Sequence, residues 1–392
     1  MRGTHRLLGN ARALAALAAA ALPALAPGHE TDQYTLPLDR PFADIADLLD
    51  ATHCRAIERA TRNLNEQVAG ALRDPDPGSR AAVLARVRDP MNVANAVSDA
   101  FNDAFFEILD IERALRSSWA GAMYPGQATA YQTVNWIYTY THLPIDPRRL
   151  VLLFPSSTVK AYGVYFGTDK LSHFHHLGRM YFGSYLARRR MGMSEEDAVA
   201  STLREYIDGP VSERAFVGFF ATGVYSNADM AANFAGMKFY RNLTEPVVLR
   251  GEVSPPLLIR VGEFWQVNVH VRPESGWFGA FVSDHWNEAL NPNLYDWGVR
   301  ESVAWLMRDR SERIVTFYVD IDGRPSDPMY YEELASSLSR YYGEEYGHCG
   351  RPERLLTIAN TCLPVYARRR ASEALAGAMG KEKPEDPVGT QR

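Results

Sequence analysis

Apolar positions follow a helical period through most of the chain and switch to strict alternation only past its middle. Phe42, Ile45, Leu48 and Leu49 open the helical pattern, and Val93, Val97, Phe101, Phe105, Ile108 and Leu109 continue it as one stripe. Such spacing lays the apolar side chains along one face of a helix. Helices are therefore expected from residue 41 through 73, at 80–88 and at 92–118. Asp74-Pro75-Asp76-Pro77-Gly78 breaks the first from the second. Residues 28–40 are polar and Pro-punctuated and read as an entry linker, so 28–120 reads as helical scaffold.

Residues 121–166 are rich in aromatics, among them Tyr124, Tyr131, Trp136, Tyr138 and Tyr140, with Pro144 and Pro147 interrupting. None of their apolar runs has the length of a bilayer span, which leaves core packing as their use. Three helices follow. The first covers 168–190 and ends in Arg188-Arg189-Arg190, suited to a helix C-terminus. The second starts at the capping signal Ser194-Glu195-Glu196-Asp197 and stops at Asp208-Gly209-Pro210; the third starts at Ser226-Asn227-Ala228-Asp229 and runs to about residue 243. Beyond Pro246, Trp265, Val267, Val269 and Val271 alternate with polar residues, the strongest strand pattern in the chain. Residues 314–320 form a second strand candidate, and a short helix over 284–292 lies between the two. Residues 330–342 and 364–378 read as helical, and the Lys/Glu/Pro-rich end as a disordered tail. The fold class expected is mainly α with a smaller β-containing C-terminal part (α+β), built on a central helical bundle. Its regions are 28–120, a central helical region at 121–245, an α+β region at 246–370 and a tail at 371–392.

Composition adds a cellular address. The chain has 392 residues, 46% hydrophobic and 23% charged, values of an ordinary globular protein. Its net charge of −5 argues against a nucleic-acid partner, because no net positive field collects phosphates. Arg2, Arg6 and Arg12 precede an unbroken Ala/Leu/Pro run from Ala13, and Ala24-Leu25-Ala26 is a small-x-small cleavage site. Residues 1–26 thus read as a signal peptide, with no transmembrane span expected beyond it. Its removal deletes three arginines and no acid, taking −5 to −8. No cysteine stands near that site, which argues against lipid attachment there. Cys349 and Cys362 are spaced to close a short loop in an oxidising compartment, leaving Cys54 odd; three buried thiols is the plainer alternative.

Candidate chemistry concentrates in Gly167-Thr168-Asp169-Lys170-Leu171-Ser172-His173-Phe174-His175-His176. On a helix, Asp169, His173 and His176 stand at i, i+4 and i+7, which is one face. Asp169 alone is explained as a first-turn acid, worth about 1 kcal/mol. That explanation leaves the histidines, and a carboxylate one turn before an imidazole orients it for catalysis or for metal binding. Asp229, Asn233 and Gly236 repeat the spacing on the third helix, where Ala231, Ala232, Ala235 and Gly236 keep the surface slim. Asp229 is also explained by a capping box with Ser226, whereas Asn233 is a poor mid-helix residue that needs a specific partner. Glu205, on a stripe of small residues (Ala198, Ser201, Thr202), either faces inward or is an ordinary solvated acid. His285 and Glu288, at i and i+3, suit metal ligation or simple helix-start polarity equally. Gly-x-Ser-x-Gly and His-Glu-x-x-His motifs, phosphate-binding glycine loops and dinucleotide fingerprints are absent.

Asp169-Lys170-x-x-His173-Phe174, followed by Ser226-x-x-Asp229-x-x-x-Asn233-x-x-Gly236, resembles the pattern of VanZ-like proteins and of YfiM-type lipoproteins. The likeness covers residues 167–240, under a fifth of the chain. It implies a cell-envelope setting and a shared polar cluster of Asp169, Lys170, His173, Asp229 and Asn233. VanZ-like proteins are hydrophobic and membrane-spanning, whereas the helices here carry charged faces.

Two functions are expected, in this order. The first is an exported hydrolase, periplasmic or on the outer envelope surface, acting on an envelope lipid, phosphate ester or glycan. His173 would be its base or a metal ligand, oriented by Asp169, with Lys170 stabilising negative charge, Asp229 a second acid or ligand and Asn233 a positioning group. No cofactor is identified by the sequence; a divalent metal held by His173, His176 and Asp229 is one variant of this reading. The second is a non-catalytic envelope binding or scaffold protein, in which the same residues form a buried hydrogen-bond network.

Overall fold

The computed structural model describes residues 33–34, 36–37, 41–101, 111–132, 156–208, 223–291, 293–295, 297–321, 327–330, 333 and 355–379. The protein is mainly α, with a smaller β part made of two-stranded pieces. Helix α1 (Ala46–Arg73) packs against α2 (Pro77–Arg88) and α3 (Pro90–Ala100). Both short helices start with Pro at the first position behind an aspartate cap: Asp76 accepts from the Gly78 and Ser79 amides, and Asp89 from Met91 and Asn92. The expected signal peptide, Phe105, Ile108 and Leu109 of the expected stripe, all of 133–155, Cys349, most of 330–342 and the tail beyond residue 379 lie outside the described residues.

Strands β1 (Thr158–Ala161) and β2 (Val164–Gly167) form an antiparallel hairpin that delivers the chain into the central helix. That helix is expected as one regular piece and is instead three: an α-turn at Asp169–Ser172, a π-helical turn at His173–Leu177, and α4 (Gly178–Arg190). Helices α5 (Glu195–Asp208) and α6 (Asn227–Asn242) pack beside it. Two further hairpins follow: β3 (Val247–Leu249) with β4 (Glu252–Ser254), and β5 (Leu258–Val261) with β6 (Phe264–Val267). The C-terminal part adds α7 (Trp297–Asp309), α8 (Ser311–Val315) and α9 (Leu363–Met379). The main apolar core runs from Ile45, which precedes α1, through the central helices to Trp286 and Leu355, so all three sequence regions contribute to it. No helix among the described residues is long and apolar enough to cross a membrane.

Several expectations change. Residues 314–320 are not a strand: the chain continues from α8 into a π-helical turn at Thr316–Ile321. Ile314, Val315, Phe317 and Tyr318 are all buried there, and an apolar run buried on every side carries no period to separate helix from strand. The alternation of 265–271 yields a strand only to Val267, because Asn268 turns the chain: its amide donates to Leu257 O at 2.8 Å and its carbonyl accepts from Val271 N at 3.0 Å. The helix expected over 284–292 is a single 3₁₀ turn, Asp284–Trp286. In the expected entry linker, Gln33, Tyr34 and Leu36 are buried. Cys362 is a free, buried thiol, and so is Cys54.

Candidate functional site

The site forms where the hairpin meets the central helix. Thr168 is anchored by its amide to Ser157 O at 2.9 Å and by its hydroxyl, which donates to Glu112 Oε1 at 2.6 Å. The chain therefore enters the helix at a fixed angle, and Asp169 and Lys170 turn inward. On the facing helix, Ser226 caps α6 by accepting from Asp229 N at 3.1 Å. Only half of the expected capping box explains Asp229, because its carboxylate goes to Lys170 and His173.

Helices α4 and α6 meet backbone to backbone. A Cβ on Gly236 would lie 1.9 Å from Phe174 O, and one on Gly178 would lie 2.6 Å from Gly236 Cα. Only glycine permits that approach. It holds Asp229 and Asn233 within reach of His173.

Lys170 is fully buried, and its ammonium is ringed by carboxylates: Asp169 Oδ2 at 2.6 Å, Glu288 Oε1 at 2.6 Å, and Asp229 Oδ1 in direct contact. An ammonium has three protons, and three carboxylates from three segments meet it. Burial raises the Glu288 carboxyl to about 8, against the opposing pull of Lys170. Protonating Glu288 removes one of the three negative charges gathered on a single cation. Glu288 is held in place from the N-terminal segment, where Gln33 Oε1 accepts from its amide and the Tyr34 hydroxyl donates to its carbonyl at 3.4 Å.

His173 completes the cluster. Its Nε2 stands 3.4 Å from Asp229 Oδ2 and its Nδ1 3.1 Å from the Asn233 amide. With that amide turned so that its nitrogen faces His173, the nitrogen serves Asp229 O at 3.2 Å and both the carbonyl and Nδ1 of His173 at 3.1 Å. In this assignment Nδ1 accepts and Nε2 carries the proton toward Asp229. Both ring nitrogens are then engaged inside the protein.

The five expected residues Asp169, Lys170, His173, Asp229 and Asn233 are thus brought together. His176, half-buried in the π-turn, is not among the donors that come together, as the wider step of a π-turn breaks the i, i+4, i+7 face. Among the described residues, the donors close enough to hold a metal are Asp169, His173 and Asp229, within 4.8 Å of one another. A divalent ion would have to share both carboxylates with the Lys170 ammonium, a like charge already seated on them. The cluster as built therefore fits a lysine better than a metal. Glu205 pairs with Arg188 at 2.9 Å near the surface, as a solvated acid does.

Two members escaped sequence reasoning. Glu288 was visible only as half of a weak pair with His285, and nothing local places it beside Lys170. His175, which a regular helix turns away from the stripe, is fully buried with its Nε2 3.0 Å from Nε2 of His53. The His53 Nδ1–H donates to Leu49 O at 2.7 Å, so His53 Nε2 accepts the His175 proton. Phe101, Phe174, Phe239, Trp277 and Phe278 surround this pair. Burial pushes His53 down to about 3 and His175 well below the usual imidazole range, the latter helped by His53.

Comparison with protein-family models, with curated proteins and with solved structures finds no match.

Proposed function

We propose that this is a non-catalytic cell-envelope protein, exported by its N-terminal leader, whose buried Asp/Lys/His/Asn/Glu cluster locks its central helices together. One observation carries the lock. The Lys170 ammonium donates to Asp169 and Glu288 and is ion-paired with Asp229, and both nitrogens of His173 face neighbours in the same cluster. General-base catalysis needs an imidazole nitrogen within reach of a substrate proton, and here both nitrogens face groups of the cluster. The envelope setting is supported by the basic n-region and Ala-rich run of residues 1–26 and by the Asp-Lys-x-x-His pattern. Envelope lipid or glycan is the surface such a scaffold would meet.

The hydrolase reading retains one favouring observation: the His173 side chain is 9% exposed, whereas Lys170 is at 0%. An Asn233 that swings away would open Nδ1 beside the Asp229–His173 pair.

Thermal melting separates the two. In a lock, His173→Ala and Lys170→Met both melt well below the wild type, because each strands buried carboxylates; breaking one partner of a buried pair costs roughly 3–5 kcal/mol. A His173→Ala protein that melts like the wild type overturns the lock and favours the hydrolase. Cell fractionation that finds the chain in the cytoplasm with residues 1–26 attached overturns export.

A further inference from the structure

The Lys170 cluster holds more than the elements of an ion pair. A buried amine lies against a buried carboxyl from another helix, and a third carboxyl touches the same nitrogen. We propose that Lys170 and Asp229 become joined by an intramolecular amide bond between Nζ and Cγ, formed by the folded protein itself with Glu288 as the acid. The proposal rests on the cluster being a structural lock and makes that lock covalent.

Three conditions favour such a bond, and the site meets each. The nucleophile and its target must be held together before reaction, since pre-orientation replaces an unfavourable encounter; Lys170 Nζ is in direct contact with Asp229 Oδ1. Water must be scarce, so that the ion pair loses its solvation advantage over the neutral amine and acid. Lys170, Asp229 and Glu288 are 0%, 3% and 2% exposed, and Trp286, two residues before Glu288, is fully buried against Phe166. A proton donor must stand by the departing oxygen, and Glu288, whose burial keeps its proton on near neutrality, lies 2.6 Å from the same nitrogen. Asp169, also 2.6 Å away, is placed to accept a proton from that nitrogen. Asp169 is a poor partner itself, because it neighbours Lys170 in sequence and an amide between them would close a small ring within one helical turn.

The step balances without any other reactant. Proton transfer from the ammonium leaves a neutral amine facing a neutral acid. The nitrogen lone pair attacks Asp229 Cγ, and Asp169 takes a proton from the nitrogen. Glu288 protonates one Asp229 oxygen, which departs as water as the C–O bond breaks. Two ammonium protons leave in that water and one stays on the amide nitrogen. The proton taken by Asp169 then passes to Glu288, which meets the same nitrogen, so that both end as they began.

Intact-mass spectrometry of the full, denatured chain tests this. The expected mass is one water below that of its sequence after the leader is accounted for, with a branched peptide containing both Lys170 and Asp229. Glu288→Gln and Lys170→Arg should restore the full mass. A wild-type chain at full mass overturns the bond, and so does a water loss confined to one unbranched peptide. Neither depends on a variant folding. The two ideas fail separately: full mass together with low-melting His173→Ala leaves the lock and removes the bond, whereas a wild-type melting temperature in His173→Ala removes the lock.

Discussion

At the scale of single residues, the buried histidines and Glu288 pull stability in opposite pH directions. His53 is held neutral in the fold, with its value lowered from about 6.5 to about 3. A depressed imidazole contributes stability that is complete above its unfolded value and is lost as pH falls below about 6.5, at roughly 1.4 kcal/mol per pH unit. His53→Gln keeps a polar partner for His175 and should make the acid side of the stability curve between pH 3 and 6.5 shallower, the remaining slope being that of His175, measured by urea unfolding. An unchanged acid slope would show that the pair does not sense pH. Glu288 behaves in reverse. Its value is raised from 4.5 to about 8, so its contribution is complete below 4.5 and is lost as pH rises toward 8. Glu288→Gln should remove that decline on the alkaline side. An alkaline limb identical to the wild type would mean that Glu288 is ionised throughout. Both residues were hard to find from sequence for the same reason: Lys170 and Glu288 are 118 positions apart, and His53 and His175 122. Spacing along one element exposes partners on that element and is silent about the one opposite.

At the scale of elements, the π-turn at His173–Leu177 decides which histidine does what. It lets Phe174 bring its carbonyl against Gly236 and turns His173 to α6 and His175 to α1. Asp169, His173, Asp229 and Asn233 were legible because i, i+4 spacing survives within the α-turn and α6. His176 was misplaced because the expected face assumes an unbroken helix. The run at 314–320 failed differently, since burial on every side erases the period that separates strand from helix. The glycine contact is testable. Gly236→Ala places a methyl on Phe174 O and should cost at least the 1–3 kcal/mol of ordinary overpacking. Gly192, at a turn with no atom near its Cβ position but with φ of 87°, is a useful contrast: strain there is local and should leave His173 in place. A Gly236→Ala protein as stable as the wild type would show that the two helices are free to separate.

For the whole molecule, the cluster joins parts that sequence divides. Asp169 and Lys170 belong to the hairpin-to-helix junction, Asp229 and Asn233 to α6, and Glu288 to the C-terminal part, with Gln33 reaching in from the N-terminal side. The mainly α architecture was readable from periodicity and caps, because both are local. The joint that unites the regions was not, because it is made of contacts between them. A lock of this kind gives cooperative unfolding: regions tied through one buried cation cannot loosen independently. The most direct measurement is a double-mutant cycle by chemical denaturation with Lys170→Met, Asp229→Asn and the pair. If the cluster is a lock, the double variant is less destabilised than the sum of the singles, with a coupling of roughly 0.5–3 kcal/mol. Strict additivity of the two substitutions would contradict it.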